Sequence, residues 1–213
     1  MQLSKLETQV YEKLRKNKIN VFRIRDICLL FKFKREKSYN IIKALTKKKA
    51  IIKIKSGLYS FKDVSEFVIG TSLNWHSYVS FWSALNYYGF SDNLPKKIFF
   101  ASRKYHKEIN LLKFVFLSRN KFFGYRKIDD LIIAEKEKAI IDSLLYPKYS
   151  GGSEEIKKSF LAAINELNIE KMADYINKIA IKKIRYSLID MCEEFYKKTK
   201  NNKFNILKKQ LSK

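Results

Sequence analysis

The stretch from Val21 to Phe61, VFRIRDICLLFKFKREKSYNIIKALTKKKAIIKIKSGLYSF, changes its hydrophobic period partway along, and that change restricts the fold more than any other feature of the chain. Core-type positions recur at helical spacing through Ile24, Ile27 and Leu30, and again through Ser38, Ile41, Ile42 and Leu45. The spacing then becomes strand-like in Ile52, Ile54, Leu58 and Phe61. Lys55-Ser56-Gly57 separates the two strand-like runs, and Gly57 can take the positive φ that a tight hairpin requires. Two short helices followed by a hairpin are the outline of a winged helix-turn-helix. The first helix is expected over residues 25–30, the turn over 31–34 and the second helix over 35–47, with Val21-Phe22 as a short strand beside the wing. Upstream, Ser4-Lys5-Leu6-Glu7 reads as a capping box opening a helix whose inner face is Leu6, Val10 and Leu14.

The second helix, with Ser38, Ile41, Ile42 and Leu45 inward, leaves Arg35, Lys37, Tyr39, Asn40 and Lys43 on its outer face. These residue types suit the major groove of DNA, which admits a helix and presents donor and acceptor patterns. Arginine can pair bidentately with guanine and asparagine with adenine. Lys34 and the wing residues Lys53, Lys55 and Ser56 are expected at phosphates, where they release counterions and fix register without reading sequence. Charge agrees with this division. Of a net +24, residues 1–62 carry 18 basic side chains against four acids, a concentration that favours double-stranded DNA as partner. A composition rich in Lys, Ile and Asn also arises in A·T-rich genomes and hot habitats, and for scattered lysines solvation of a surface is the default explanation.

Beyond the wing, residues 63–76 read as a connector. Residues 77–89 read as one aromatic-rich helix, N-capped by Ser77 and ended by Gly89. Strand-like runs follow at 97–101, 111–117, 122–125 and 128–133, then a helix over 134–145 closed by Pro147. Tyr149-Ser150-Gly151-Gly152 is the clearest linker signal. Three helical stripes lie after it: Ile156, Phe160, Ala163, Ile164 and Leu167; Ile169, Met172, Ile176 and Ile179; and Ile184, Leu188, Met191 and Phe195. A last helix over 204–211, with Lys203, Lys208, Lys209 and Lys213 around it, either touches nucleic acid or frays. The expected class is α+β, with a winged helix-turn-helix over 1–66, a small mixed α/β domain over 67–149 and a helical region over 150–213.

Catalytic patterns are sparse. His76 and His106, the two histidines, have no cysteine or second histidine at ligand spacing, and no phosphate-cradling GxxxxGK[ST] or GxGxxG is present. Cys28 and Cys192 cannot build a disulfide framework and read as structural. Asp129, Asp130, Glu135, Glu137 and Asp142 are the acids from which a metal-dependent nuclease would draw, but acids in a helix's first turn commonly serve its dipole. The expectation is a protein that is not an enzyme and holds no cofactor or metal. A metal-dependent nucleic-acid enzyme and a non-specific nucleic-acid binder stand as the alternatives. Apolar runs such as CLLF, IIKI and KIFF are far below the ~18 residues of a membrane span, and no signal-peptide core follows the start, so a cytoplasmic protein without membrane contact is expected.

Several segments together carry a resemblance. A wing ending in SGLYSF is followed by YVSFWSALNYYGFSD, a basic strand KKIFFASRK, the Phe-Gly step of KFFGY and the helix AEKEKAIIDSLLYP. Over roughly residues 5 to 147 this resembles the AbiE-type (AbiEi) antitoxin family of transcriptional regulators. The most specific part is Tyr78-Val79-Ser80 with Ser83-Ala84-Leu85 and Tyr88-Gly89; of these, Tyr78, Ser80, Ser83, Tyr88 and Gly89 are the motif positions carried over. The resemblance implies a type IV toxin-antitoxin system, in which such a protein represses its own promoter through the winged domain. It also implies that the protein counters a nucleotidyltransferase toxin without a tight complex.

Overall fold

A computed structural model of the protein describes residues 2–74, 76–104 and 107–212. The architecture is α+β, with ten α-helices and two sheets among the described residues, and the chain divides into two compact units, Met1–Leu73 and Asn74–Lys213.

The first unit runs α1 (Lys5–Lys16), β1 (Val21–Phe22), α2 (Ile24–Phe31), α3 (Arg35–Lys47), β2 (Ile51–Lys55), β3 (Leu58–Phe61) and α4 (Glu66–Leu73). The capping box forms as the sequence predicts: the Ser4 amide donates to Glu7 Oε2 at 2.7 Å and the Glu7 amide donates to Ser4 Oγ at 3.3 Å. Val10 and Leu14 from α1, Phe22, Ile27, and Ile41, Ile42 and Leu45 from α3 close a core against Ile51, Tyr59 and Phe61 of the hairpin. The sheet order is β1-β3-β2, and Gly57 turns the hairpin at φ +71. One detail of the hairpin differs from expectation. Ile51, opposite Phe61, faces the core and is 2% exposed, while Ile52 is 38% exposed. Side chains alternate across a strand, so moving the start of the strand by one residue exchanges its faces.

Residues 63–76 are not simply a connector, because α4 occupies most of them. Its sequence, EFVIGTSL, has a glycine and β-branched residues that lower intrinsic helix propensity. Packing holds it instead: Ile69, Gly70 and Thr71 are buried, and the Thr71 hydroxyl bonds back to the carbonyls of Phe67 and Val68 at 3.2 Å.

The second unit contains β4 (Ser77–Val79), α5 (Phe81–Tyr87), β5 (Ile98–Ser102), β6 (Lys107–Ile109), β7 (Leu112–Phe116), β8 (Tyr125–Ile128), β9 (Leu131–Ala134), α6 (Lys136–Leu145), α7 (Ser153–Ala163), α8 (Ile169–Ile179), α9 (Lys182–Thr199) and α10 (Asn202–Leu211). Its six-stranded sheet has the order β6-β7-β5-β4-β9-β8, with β4/β9 and β5/β7 parallel and the other neighbours antiparallel. The single helix expected over 77–89 is replaced by a strand and a shorter helix. Ser77–Val79 lie buried in the sheet, and Ser80, extended at φ −149, occupies the N-cap position of α5 without a capping side-chain hydrogen bond. Phe81 makes the sharp change of direction at φ +55, a conformation costly to a bulky residue and held here by complete burial of its ring. The expected strand at 122–125 is likewise displaced: Arg119–Lys121 form a 3-10 turn, Gly124 sits at φ +68, and the strand starts at Tyr125.

The linker-like Tyr149-Ser150-Gly151-Gly152 is no joint between compact units. Ser150 is buried with its hydroxyl 2.9 Å from that of Ser143, and a side chain at Gly151 would meet Glu155 at 2.9 Å. Helix α6 packs on α5, α7, α8 and α9, so the region expected separately at 150–213 shares its core with the sheet unit. Helix α10 is docked rather than frayed, through Phe204, Leu207 and Leu211, and the Phe204 ring lies 5.6 Å from Phe160 and 5.5 Å from Phe195. Lys203 donates to the Asn165 carbonyl at 2.8 Å and Lys208 pairs with Glu193 at 2.6 Å; Lys213 lies outside the described residues.

Burial pushes the Cys192 thiol up to about 12, whereas Cys28 is only half-buried, its thiol 3.3 Å from the Ser38 hydroxyl. A thiol reagent at pH 8 should therefore label Cys28 in the native protein and reach Cys192 only when the second unit unfolds. Equal labelling of both in native buffer would contradict this placement.

Candidate nucleic-acid interface

The candidate interface is built on the turn between α2 and α3. Lys32 ends α2 in the left-handed conformation at φ +54, and Lys34, extended at ψ 151, opens α3 without a capping side chain. The rings of Phe31 and Phe33 stack at 5.3 Å across the turn, and the Cys28–Ser38 contact ties the two helices together behind it. Helix α3 spans Arg35–Lys47, and Ser38, Ile41, Ile42 and Leu45 are its buried line, both as the sequence predicts.

Of the residues expected on the outer face, Arg35, Lys37, Tyr39, Asn40 and Lys43 are all exposed, but they do not lie on one line. At 3.6 residues per turn, Asn40 and Lys43 stand opposite the buried line, Arg35 and Tyr39 flank them on one side, and Lys37 lies on the other. The Lys37 ammonium sits 4.1 Å from the centre of the Phe33 ring, so it braces the turn as well as charging it. The same count places Glu36 and Lys47, both exposed, on the outward line with Asn40 and Lys43. The helical spacing of Arg35–Lys47 places both there, Glu36 being the one acid among the cations and amides of that face. In the wing, Lys53, Lys55 and Ser56 are exposed on β2 and its turn, with an irregularity in the ladder between Lys53 and Lys55.

Ion pairs are fewer in the first unit, which has fewer acids to offer. Among the described residues the first unit has two ion pairs, Arg15 with Asp63 and Lys48 with Glu7 at 2.6 Å. Lys34, Arg35, Lys43, Lys47, Lys53 and Lys55 have no acidic partner there. In the second unit Glu108 binds both Lys97 and Lys113, Lys136 pairs with Glu166, Lys157 and Lys198 with Glu194, and Lys171 with Glu135. A shallow groove in the first unit is lined by Ser4, Glu7, Lys32, Lys34, Lys37 and Asn40.

The motif positions of the second unit form an interior framework rather than an exposed site. Tyr78 donates to Asp142 Oδ2 at 3.0 Å and Ser80 donates to the same oxygen at 2.7 Å. Lys138 is ion-paired with Asp142 and donates to the Tyr78 hydroxyl at 3.1 Å, and all four side chains are fully buried. Burial pushes the Tyr78 hydroxyl up, reinforced by the Asp142 carboxylate, and pushes the Lys138 ammonium down against the pull of its partner. Ser83 accepts from the Phe99 amide at 2.9 Å, and Tyr88 donates to the Ala134 carbonyl at 2.7 Å. Gly89 ends α5 at φ +72. The motif therefore fastens β4 and α5 to β5, β9 and α6. The Lys138–Asp142 pair is the part that sequence reading missed, since its hydroxyl partners Tyr78 and Ser80 lie about 60 residues away.

The acids considered for metal chemistry do not converge. Asp142 is enclosed by the Tyr78, Ser80 and Lys138 side chains, Glu135 pairs with Lys171 at 2.7 Å and accepts from Tyr175, and Glu137 accepts from the Asn168 amide at 2.8 Å. Asp129 takes a turn at φ +51. Among the described residues no group of three or more His, Cys, Asp and Glu is placed to hold a metal ion; His106 lies outside them.

A helix, a short strand, two helices joined by a tight turn, and a hairpin completing a three-stranded sheet define a small basic domain with an exposed second helix. No protein-family model and no curated protein matches the chain. Among solved structures it is similar to the crystal structure of the RV2827C protein from Mycobacterium tuberculosis, with a TM-score of 0.63 over 98% of this chain and 82% of that chain, at 10% sequence identity. At that identity the likeness concerns the fold. Among the described residues no helix is long and apolar enough to cross a membrane.

Proposed function

We propose that the chain is a sequence-specific DNA-binding transcriptional repressor of the winged helix-turn-helix type, acting in the cytoplasm. The observation that supports it best is the run of exposed cations on α3 and the wing, Lys34, Arg35, Lys43, Lys47, Lys53 and Lys55, that have no acidic partner among the described residues. Unpaired side chains of this kind release counterions at phosphates, and the exposed α3 offers Arg35 and Asn40 to base edges. Reading the resemblance onto this chain, its target is its own promoter. It is then the antitoxin of a type IV toxin-antitoxin system that counters a nucleotidyltransferase toxin without a stable complex. The second unit, whose motif residues are interior braces, presents the surface for that role.

Titrating the protein against a duplex from its own promoter and a scrambled duplex of equal length, at fixed salt, should show a preference of ~10³ or more. Co-expression with a nucleotidyltransferase encoded beside it should restore growth without the two proteins co-purifying. Equal affinity for both duplexes would leave a non-specific binder.

A further inference from the structure

We infer that Glu36 is a specificity-determining residue of the proposed DNA interface, reading a cytosine through the exocyclic amino group that this base displays in the major groove. The inference rests on the reading of α3 as the helix that enters DNA, and extends it to the kind of base read.

Three observations lead to it. Glu36 is the second residue of α3 and is exposed on the line opposite the buried Ser38, Ile41, Ile42 and Leu45, together with Asn40 and Lys43. The N-terminal residues of a recognition helix are those that contact base edges. Secondly, Glu36 has no hydrogen bond or ion pair among the described residues, although Lys32, Lys34 and Lys37 line the same groove. The other acid of that groove, Glu7, is bound by Lys48 and held below the usual carboxylate range by that contact. Thirdly, the surrounding surface is cationic, with Lys34, Arg35, Lys43 and Lys47 unpaired on the same helix or its cap.

A lone carboxylate on such a surface repels phosphate and weakens binding to DNA of arbitrary sequence. Its chemistry fits one base-edge group best. A carboxylate only accepts hydrogen bonds, and of the groove edges cytosine offers an amino donor without a neighbouring acceptor on the same base. Guanine O6 and N7 and thymine O4 are acceptors and are rejected. Glu36 therefore lowers affinity for bulk DNA and favours sequences with cytosine at one position, a difference of affinities achieved partly by repulsion.

The test uses the full chain and a random duplex library, from which bound sequences are selected for the wild type, Glu36→Gln and Glu36→Ala. Wild type should select cytosine at one position, and replacing that base pair should weaken binding about tenfold. Glu36→Gln should move the preference at that position alone from cytosine to adenine, whose N6 and N7 suit an amide. Glu36→Ala should lose preference there and bind scrambled duplex more tightly than wild type at low salt. Unchanged selection in both variants, with only a lowered melting temperature, would assign Glu36 to the helix dipole and overturn the inference. If the wild type selects no sequence at all, the repressor reading itself falls and this inference with it.

Discussion

Lys138→Met is expected to destabilise the second unit by about 3–5 kcal/mol, the loss typical when one partner of a buried ion pair is removed. Both members of the Lys138–Asp142 pair are fully buried, so the remaining carboxylate would keep the Tyr78 and Ser80 hydroxyls as donors but lose its counter-charge in a low-dielectric interior. The double variant Lys138→Met/Asp142→Leu should recover much of that loss, because no charge is then buried alone, although the two hydroxyls lose their acceptor. The exposure of Cys192 to a thiol reagent in a urea series reports the second unit specifically and avoids treating the two units as one transition. A loss below about 1 kcal/mol for Lys138→Met would show that the pair does not hold β4 to α6.

For the first unit the expected result is that α3 and the wing fail differently. Arg35→Ala or Asn40→Ala removes a base contact and should cost about 1–3 kcal/mol on the preferred duplex and little on a scrambled one. Lys53→Ala or Lys55→Ala removes a phosphate contact and should weaken binding to all sequences alike, flattening the slope of log K against log salt by about one unit per lysine. Titration of the four variants on both duplexes over a salt series measures both quantities. If the wing lysines alter discrimination while Arg35 and Asn40 alter only the slope, the two elements have exchanged roles.

How far an element can be read in the sequence depends on how local its determinants are. Helix α3 is legible because its buried line repeats every three or four positions, and the hairpin because Gly57 marks the turn. Strand β4 is not legible. Three residues, Ser77, Tyr78 and Val79, are too few to show alternation, and the helical spacing of residues 81–87 absorbs them. Helix α4 is hidden for the opposite reason, since its weak propensity is overridden by packing that local sequence does not display. The candidate site is legible in its cations but not in their pairing. A lysine in α3 and a lysine in α6 look alike until it is seen that one has an acid beside it and the other does not.

The position of β4 in its sheet has a consequence for the nascent chain. The first unit closes its core with residues up to Leu73 and can form as soon as they leave the ribosome. Strand β4 cannot be completed then, because Val79 pairs in parallel with Ile133, which is synthesised roughly 3–11 s later at 5–20 residues per second. Through that interval a newly made copy has a finished basic domain trailed by an unfinished apolar segment. The order of synthesis thus lets the domain proposed to bind DNA mature before the unit that follows it.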